Sequence, residues 1–137
     1  MTKRTGGSVA QVTTQWTVRF RLDLPLMAKA RPRFGNGRSF MPSRYVDWKK
    51  QARAQLSEIW VENSLPLLES FSIHVVAHGP GRSDGDNLIG ALLDAGLPDV
   101  KSGFSGCWKD DRVTVLPAIS FRWKKSKEQF WEVLIVS

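Results

Sequence analysis

The apolar residues of this chain change period along its length, and that change is what most limits how it can fold. Trp16, Val18, Phe20, Leu22 and Leu24 alternate with Thr17, Arg19, Arg21 and Asp23. A period of two marks a strand with one buried face, and Pro25 ends it. From Tyr45 the step lengthens. Tyr45, Trp48, Ala52, Leu56 and Ile59 recur three and four residues apart, the spacing of one helix face. This helix is predicted to begin at Pro42-Ser43, with Ser43 as its cap or Pro42 in its first turn, and to end near Asn63 before Pro66. Alternation returns at Phe71, Ile73, Val75 and Ala77 and stops at Gly79-Pro80-Gly81. A shorter helix is predicted from about Asp86 to Ala95, with Leu88, Ala91, Leu92 and Ala95 on its core face. Two strands, about 112 to 123 and 129 to 136, close the chain. The order β-α-β-α-β-β predicts an α/β (α+β) domain, a small mixed sheet of about four strands with two main helices packed on it.

A chain of 137 residues is expected to form one domain, residues 15 to 137, after a flexible polar lead-in over residues 1 to 14. Twenty Lys/Arg stand against thirteen Asp/Glu, a net charge of +7. Such an excess suits a polyanionic partner, because cations placed beside phosphates release condensed counterions. Cys107 is the sole cysteine, which excludes a disulfide framework and a Cys-rich zinc site and fits a reducing cytoplasm. No apolar run nears the ~20 residues of a membrane span. No apolar segment follows Lys3 and Arg4, so no signal peptide is expected, and a cytoplasmic protein without membrane contact is.

The basic residues gather in two places. Lys29, Arg31, Arg33 and Arg38 lie in a long loop over residues 26 to 41, broken by Gly35 and Gly37. Lys49, Lys50 and Arg53 lie mostly off the apolar face of the first helix. These are the candidate phosphate contacts, each of which reads equally as a solvated charge. Phe34 and Phe40 in the same loop either stack on bases or, the favoured reading, anchor the loop to the core.

Ser83-Asp84-Gly85-Asp86-Asn87 stands where a strand hands over to a helix. Side chains two apart in an extended segment point the same way, so Asp84 and Asp86 can share a hard cation such as Mg²⁺. Taken alone, the triplet reads more simply as a turn and a helix cap. A second acidic pair, Asp110-Asp111, precedes the next strand. If that strand lies beside the one ending at Ala77, the two acidic groups are expected to meet, and converging carboxylates are costly without a cation.

DGDNLIGALLDA followed by WKDDRV resembles the RusA-type Holliday junction resolvases of bacteria and their phages. KARPRF, followed by Phe40-Met41-Pro42, is similar to that family's basic loop, and the likeness runs from about residue 16 to the end. The resemblance implies a homodimeric, Mg²⁺- or Mn²⁺-dependent crossover junction endodeoxyribonuclease, which resolves branched DNA by paired symmetric nicks in recombination and repair. By motif, Asp84, Asp86 and Asp111 fall on the three essential metal-binding aspartates. Asn87, Asp94 and Asp110 fall beside them, and Asp94 serves either behind the metal or as an ordinary helix residue. There are two departures. Where the family commonly has a lysine, four residues after the second aspartate, this chain has Gly90; the stretch from Asp94 to Asp111 is also longer than usual. Lys101 or Lys109 from that stretch is a candidate for restoring the charge, and both join the candidate DNA contacts.

Gly90 also sustains a second reading, a relative that binds junctions and cuts them slowly or not at all. A third, from another class, is a module whose basic face meets an acidic protein. His74 and His78 are an i, i+4 pair, read as polar strand residues rather than a metal pair because no third ligand accompanies them. Trp108 is expected to pack beneath its loop. The dimer is expected to use the apolar helix or the strand Phe130 to Val136.

Overall fold

The computed structural model describes residues 16 to 137; the lead-in expected over residues 1 to 14 lies outside them. β1 (Thr17–Leu22) is followed by a short hairpin, β2 (Arg33–Gly35) and β3 (Arg38–Phe40). Then come α1 (Ser43–Glu62), β4 (Ser72–Gly79), α2 (Gly85–Ala95), β5 (Ala118–Lys125) and β6 (Phe130–Val136). The main sheet has the order β1-β6-β4-β5. β6 runs antiparallel to β1 and β4, and β5 runs parallel to β4. The predicted mixed sheet of four strands with two helices is the fold, with the hairpin as an addition.

The alternating pattern decides which sheet face is covered. β4 buries Ile73, Val75 and Ala77, and β6 buries Trp131, Val133 and Ile135, while their alternates stay partly or fully exposed. α1 buries Tyr45, Trp48, Ala52, Leu56 and Trp60. Its neighbour Ile59, read as part of the face, sits at the edge of the core. The Trp48 and Trp131 rings meet 6.0 Å apart, joining α1 to the sheet. The helix starts at Ser43 with Pro42 as its cap residue, and the Pro42 carbonyl accepts the amides of Tyr45 and Val46. Ser43 does not cap it.

Trp108 is fully buried and forms the centre of the long stretch after α2. Its indole N–H donates to the Leu93 carbonyl (2.9 Å), its ring stacks on Phe71 at 5.5 Å, and Trp60 meets it edge-on at 6.1 Å. Gly96 lies directly against it, and a Cβ there would fall 2.1 Å from the indole. The loop is thus a packed part of the core, as expected of Trp108.

Two sequence expectations are corrected. Residues 112 to 117 are not strand. The amides of Val115 and Leu116 both donate to the Arg112 carbonyl, closing a turn that buries both side chains, and β5 starts only after Pro117. Of the surfaces suggested for a dimer, the apolar face of α1 is in the core, and β6 has both edges paired, with β1 and β4, while its outward face stays partly exposed. No helix among the described residues is long and apolar enough to cross a membrane.

Candidate functional site

α2 begins with Asp84 in an extended conformation at its cap position (φ −71°, ψ 144°). The Asp84 carbonyl accepts the amides of Asn87 and Leu88, both at 3.1 Å, so the backbone satisfies the first turn. The Asp84 carboxylate makes no capping bond. Capping, the simplest use of an aspartate before a helix, is therefore not what this side chain does. Asp86 stands in the first turn, where the helix dipole favours an anion, and among the described residues accepts only the adjacent Asn87 amide (3.0 Å). Both residues are exposed. Gly85 between them fits close against the Phe121 ring of β5, 3.3 Å from where a Cβ would lie.

Other acids of the neighbourhood have cationic partners. Asp94 takes Lys49 at 3.0 Å, Asp99 takes Arg53 at 3.0 Å and Asp110 takes Arg112 at 2.7 Å. Asp84, Asp86 and Asp111 enter no ion pair among the described residues.

β5 does lie beside β4, yet the acidic segments do not form a three-carboxylate group among the described residues. The pairing is parallel, with Ser72 opposite Ala118 and Gly79 opposite Lys125. Asp110-Asp111 therefore comes before the end of β5 that lies beside the start of β4, and the Phe71 amide bonds there to the Val115 carbonyl. Asp84 follows the other end of β4, and α2 returns over the middle of β5 at Phe121. Among the described residues no three His, Cys, Asp or Glu side chains gather as a metal ion would require. Asp84 and Asp86 still suit a hard cation in kind: exposed oxygen donors with no Lys or Arg paired to them among the described residues. Mg²⁺ is commonly held by one or two carboxylates, with phosphate oxygens and water completing its shell.

Asp94 belongs to the packing of the helices. Its Oδ2 accepts the Tyr45 hydroxyl (2.7 Å) and the Lys49 ammonium (3.0 Å), tying α1 to α2. Burial opposes its ionisation, but those two hydrogen bonds and the charge of Lys49 outweigh it, holding the carboxyl below its usual range. Tyr45 is pushed the other way, by burial first and then by the bonded carboxylate. Arg53 is likewise engaged, donating to the Ala95 carbonyl and Asp99. Of the basic residues expected to meet phosphate, Lys49 and Arg53 are thus internal ties, whereas Lys29, Arg31, Arg33, Arg38, Lys50, Lys101 and Lys109 are exposed.

A cleft of about 900 Å³ gathers several of these cations. The loop after β1, the hairpin, the start of α1 and the turn after β4 line it. Lys29, Arg33, Arg44 and Arg82 face it, no carboxylate among the described residues does, and its wall ends at Ser83 beside Asp84. Arg44 and Arg82 were missed by the sequence reading; the signal for Arg82 was its place two residues before Asp84. The near wall is firmly held. The Pro25 carbonyl accepts the indoles of Trp48 (2.9 Å) and Trp131 (3.4 Å), Leu26 donates to the Gln129 side chain, and the Lys29 amide donates to the Asn87 carbonyl at 2.8 Å.

That last bond sets Lys29 across α2, with its side-chain stem 3.4 Å from where a Gly90 Cβ would lie. Lys101 is elsewhere, beside Asp99 and the end of α2 at Ala95. An eleven-residue helix puts that end roughly 15 Å from Asp84.

His74 bonds Ser120 and His78 bonds Glu132, both at 2.6 Å, as polar residues of the sheet face opposite the helices. Cys107 is buried, which pushes its thiol up to about 12. No protein-family model and no curated protein matched the chain.

Proposed function

We propose that this protein is a metal-dependent endonuclease of RusA type that acts on four-way branched DNA. The observation that carries the reading is a cleft lined by four cations and no carboxylate, ending beside Asp84 and Asp86, whose carboxylates enter no ion pair among the described residues. A cation-lined cleft draws in a phosphate backbone, and two such carboxylates at its end are the oxygen donors that Mg²⁺ or Mn²⁺ takes. The chemistry that a bound divalent ion supplies is neutralisation of the scissile phosphate and activation of a water. Asp84 and Asp86 would hold the ion, with Asp111 as the third candidate ligand. Lys29, above Gly90, supplies a positive charge that Gly90 lacks, while Arg33, Arg44 and Arg82 orient the strand. A homodimer supplies two such sites for symmetric nicks.

A second reading, a junction-binding protein that does not cut, is favoured by the absence, among the described residues, of three acidic side chains gathered as a metal ion requires. One experiment separates the two. A labelled four-way junction is incubated with the protein in Mg²⁺ and in Mn²⁺, beside Asp86→Asn. The nuclease reading expects nicks from the wild type, none from Asp86→Asn, and equal junction binding by both in EDTA. Wild-type binding without nicks in either metal leaves the second reading. Calorimetric titration with Mn²⁺ checks the ion site independently of cleavage, and binding unchanged in Asp86→Asn would overturn that site.

A further inference from the structure

The hairpin has two unlike faces, and the difference names what enters the cleft. Arg33 pairs with Phe40, and Gly35 with Arg38. Directly paired residues share a ribbon face, so Phe40 stands between Arg33 and Arg38. Phe34 pairs with Ser39 and stands on the opposite face. Asn36 and Gly37 turn the chain with φ of 51° and 76°, the left-handed pair that a two-residue type I′ turn needs. The Phe40 ring lies across Gly35, 3.2 Å from where a Cβ would be, so any larger residue at 35 would displace it. Contrary to the sequence expectation, neither aromatic anchors the loop: Phe34 is 84% exposed and Phe40 50%. Phe40 and Arg33 line the basic cleft; Phe34 does not.

We infer that the cleft takes one unpaired strand of DNA, with a nucleobase stacked on Phe40 and its phosphates on Lys29, Arg33, Arg44 and Arg82. A half-exposed ring flanked by cations is what non-sequence-specific single-strand sites are built from. From Leu24 to Val46 the chain carries five Lys/Arg and no Asp/Glu (Lys29, Arg31, Arg33, Arg38 and Arg44), so nothing there repels a phosphate. Within a duplex each base face is covered by its neighbours, and only an unpaired base offers one to the ring. The strand so held leads from the hairpin past Arg82 to Asp84. This deepens the proposed function by stating that the branch point is presented unpaired, and it rests on that reading only for where the strand leads.

The test needs no metal and no cleavage. A short oligodeoxynucleotide carrying 2-aminopurine is titrated with the protein in EDTA, single-stranded and as a duplex. The variants are Phe40→Ala, Phe40→Leu, Phe40→Trp and Phe34→Ala. Phe40→Leu keeps apolar bulk over Gly35 without the aromatic face, and decides the matter if the alanine variant misfolds. The expected result is a fluorescence change on wild-type binding to the single strand. Phe40→Ala and Phe40→Leu should raise its Kd by roughly 10- to 100-fold, with duplex binding changed by less than about twofold. Phe40→Trp and Phe34→Ala should bind as wild type does. Unchanged single-strand affinity in Phe40→Leu, equal loss on both DNAs, or the same loss from Phe34→Ala would overturn the inference. Stacking without junction nicking removes the nuclease reading alone; nicking without stacking removes this inference alone.

Discussion

Asp94→Ala is the most informative single change for separating packing from chemistry in α2. The substitution removes the acceptor of two hydrogen bonds at once, from Tyr45 at 2.7 Å and from Lys49 at 3.0 Å. The Asp94 and Lys49 side chains are only 20% and 17% exposed, so water replaces little of what is lost. The Lys49 bond, being charged, contributes about 1.5 to 3 kcal/mol, and a buried Tyr45 hydroxyl left without an acceptor costs about 1 to 3 kcal/mol. The two effects overlap, since both bonds end on one carboxylate oxygen, which sets the expected loss near 3 kcal/mol. For a domain of this size that lowers Tm by roughly 10 °C. Asp94→Asn keeps an acceptor for Tyr45 and should lose about 1 to 2 kcal/mol. Urea unfolding followed by circular dichroism measures both, and a cycle with Tyr45→Phe isolates the shared term. The pH dependence has a defined sign. A carboxyl held below its usual range stabilises the fold above its unfolded pKa of about 3.9, and the contribution disappears as pH falls through the lower folded value. The gap between wild type and Asp94→Asn should thus be full near neutrality and close below about pH 4. A loss under about 0.5 kcal/mol in Asp94→Ala, or a gap independent of pH, would refute the reasoning. Loss of cleavage without loss of stability would return Asp94 to the metal site.

Two further outcomes are expected. Lys29→Ala should slow junction cleavage by roughly 100- to 1000-fold, the scale of removing one charge-stabilising donor, and adding Gly90→Lys should restore it; equal rates in all three proteins would show that the stem lying over Gly90 has no catalytic meaning. Cys107, with its thiol pushed up to about 12 by burial, should resist a thiol reagent at neutral pH in the folded protein and react at once in guanidinium chloride; rapid labelling without denaturant would mean that the Trp108 loop opens.

The elements that period-two and three-four spacing announced, β1, β4, β6 and both helices, are present, because each buries one face against a single neighbour layer. Residues 112 to 117 misled because Val113 and Val115 have strand propensity, but the segment has no partner strand, and Arg112 draws Val115 and Leu116 into a turn instead. The hairpin was legible and passed over: Asn36-Gly37 between Arg33-Phe34 and Arg38-Ser39-Phe40 is a strong short-range hairpin signal. Asp84 and Asp86 could be placed from sequence because they are local to one strand-to-helix handover. Asp111 could not, since its position depends on whether β5 runs parallel or antiparallel to β4, and spacing carries no information on strand direction. Gly90 and Lys29 lie sixty-one residues apart, and only the folded chain puts them together.

The bond from the Lys29 amide to the Asn87 carbonyl joins main chain to main chain. No side-chain replacement at either residue removes it, short of proline at 29. The position of the cleft wall against α2 is therefore indifferent to what the sequence carries there, while the charge at 29 can be changed freely. Placement and charge are separable by mutation in this protein: a lineage could exchange the cation, or move it to the helix, without refitting the loop.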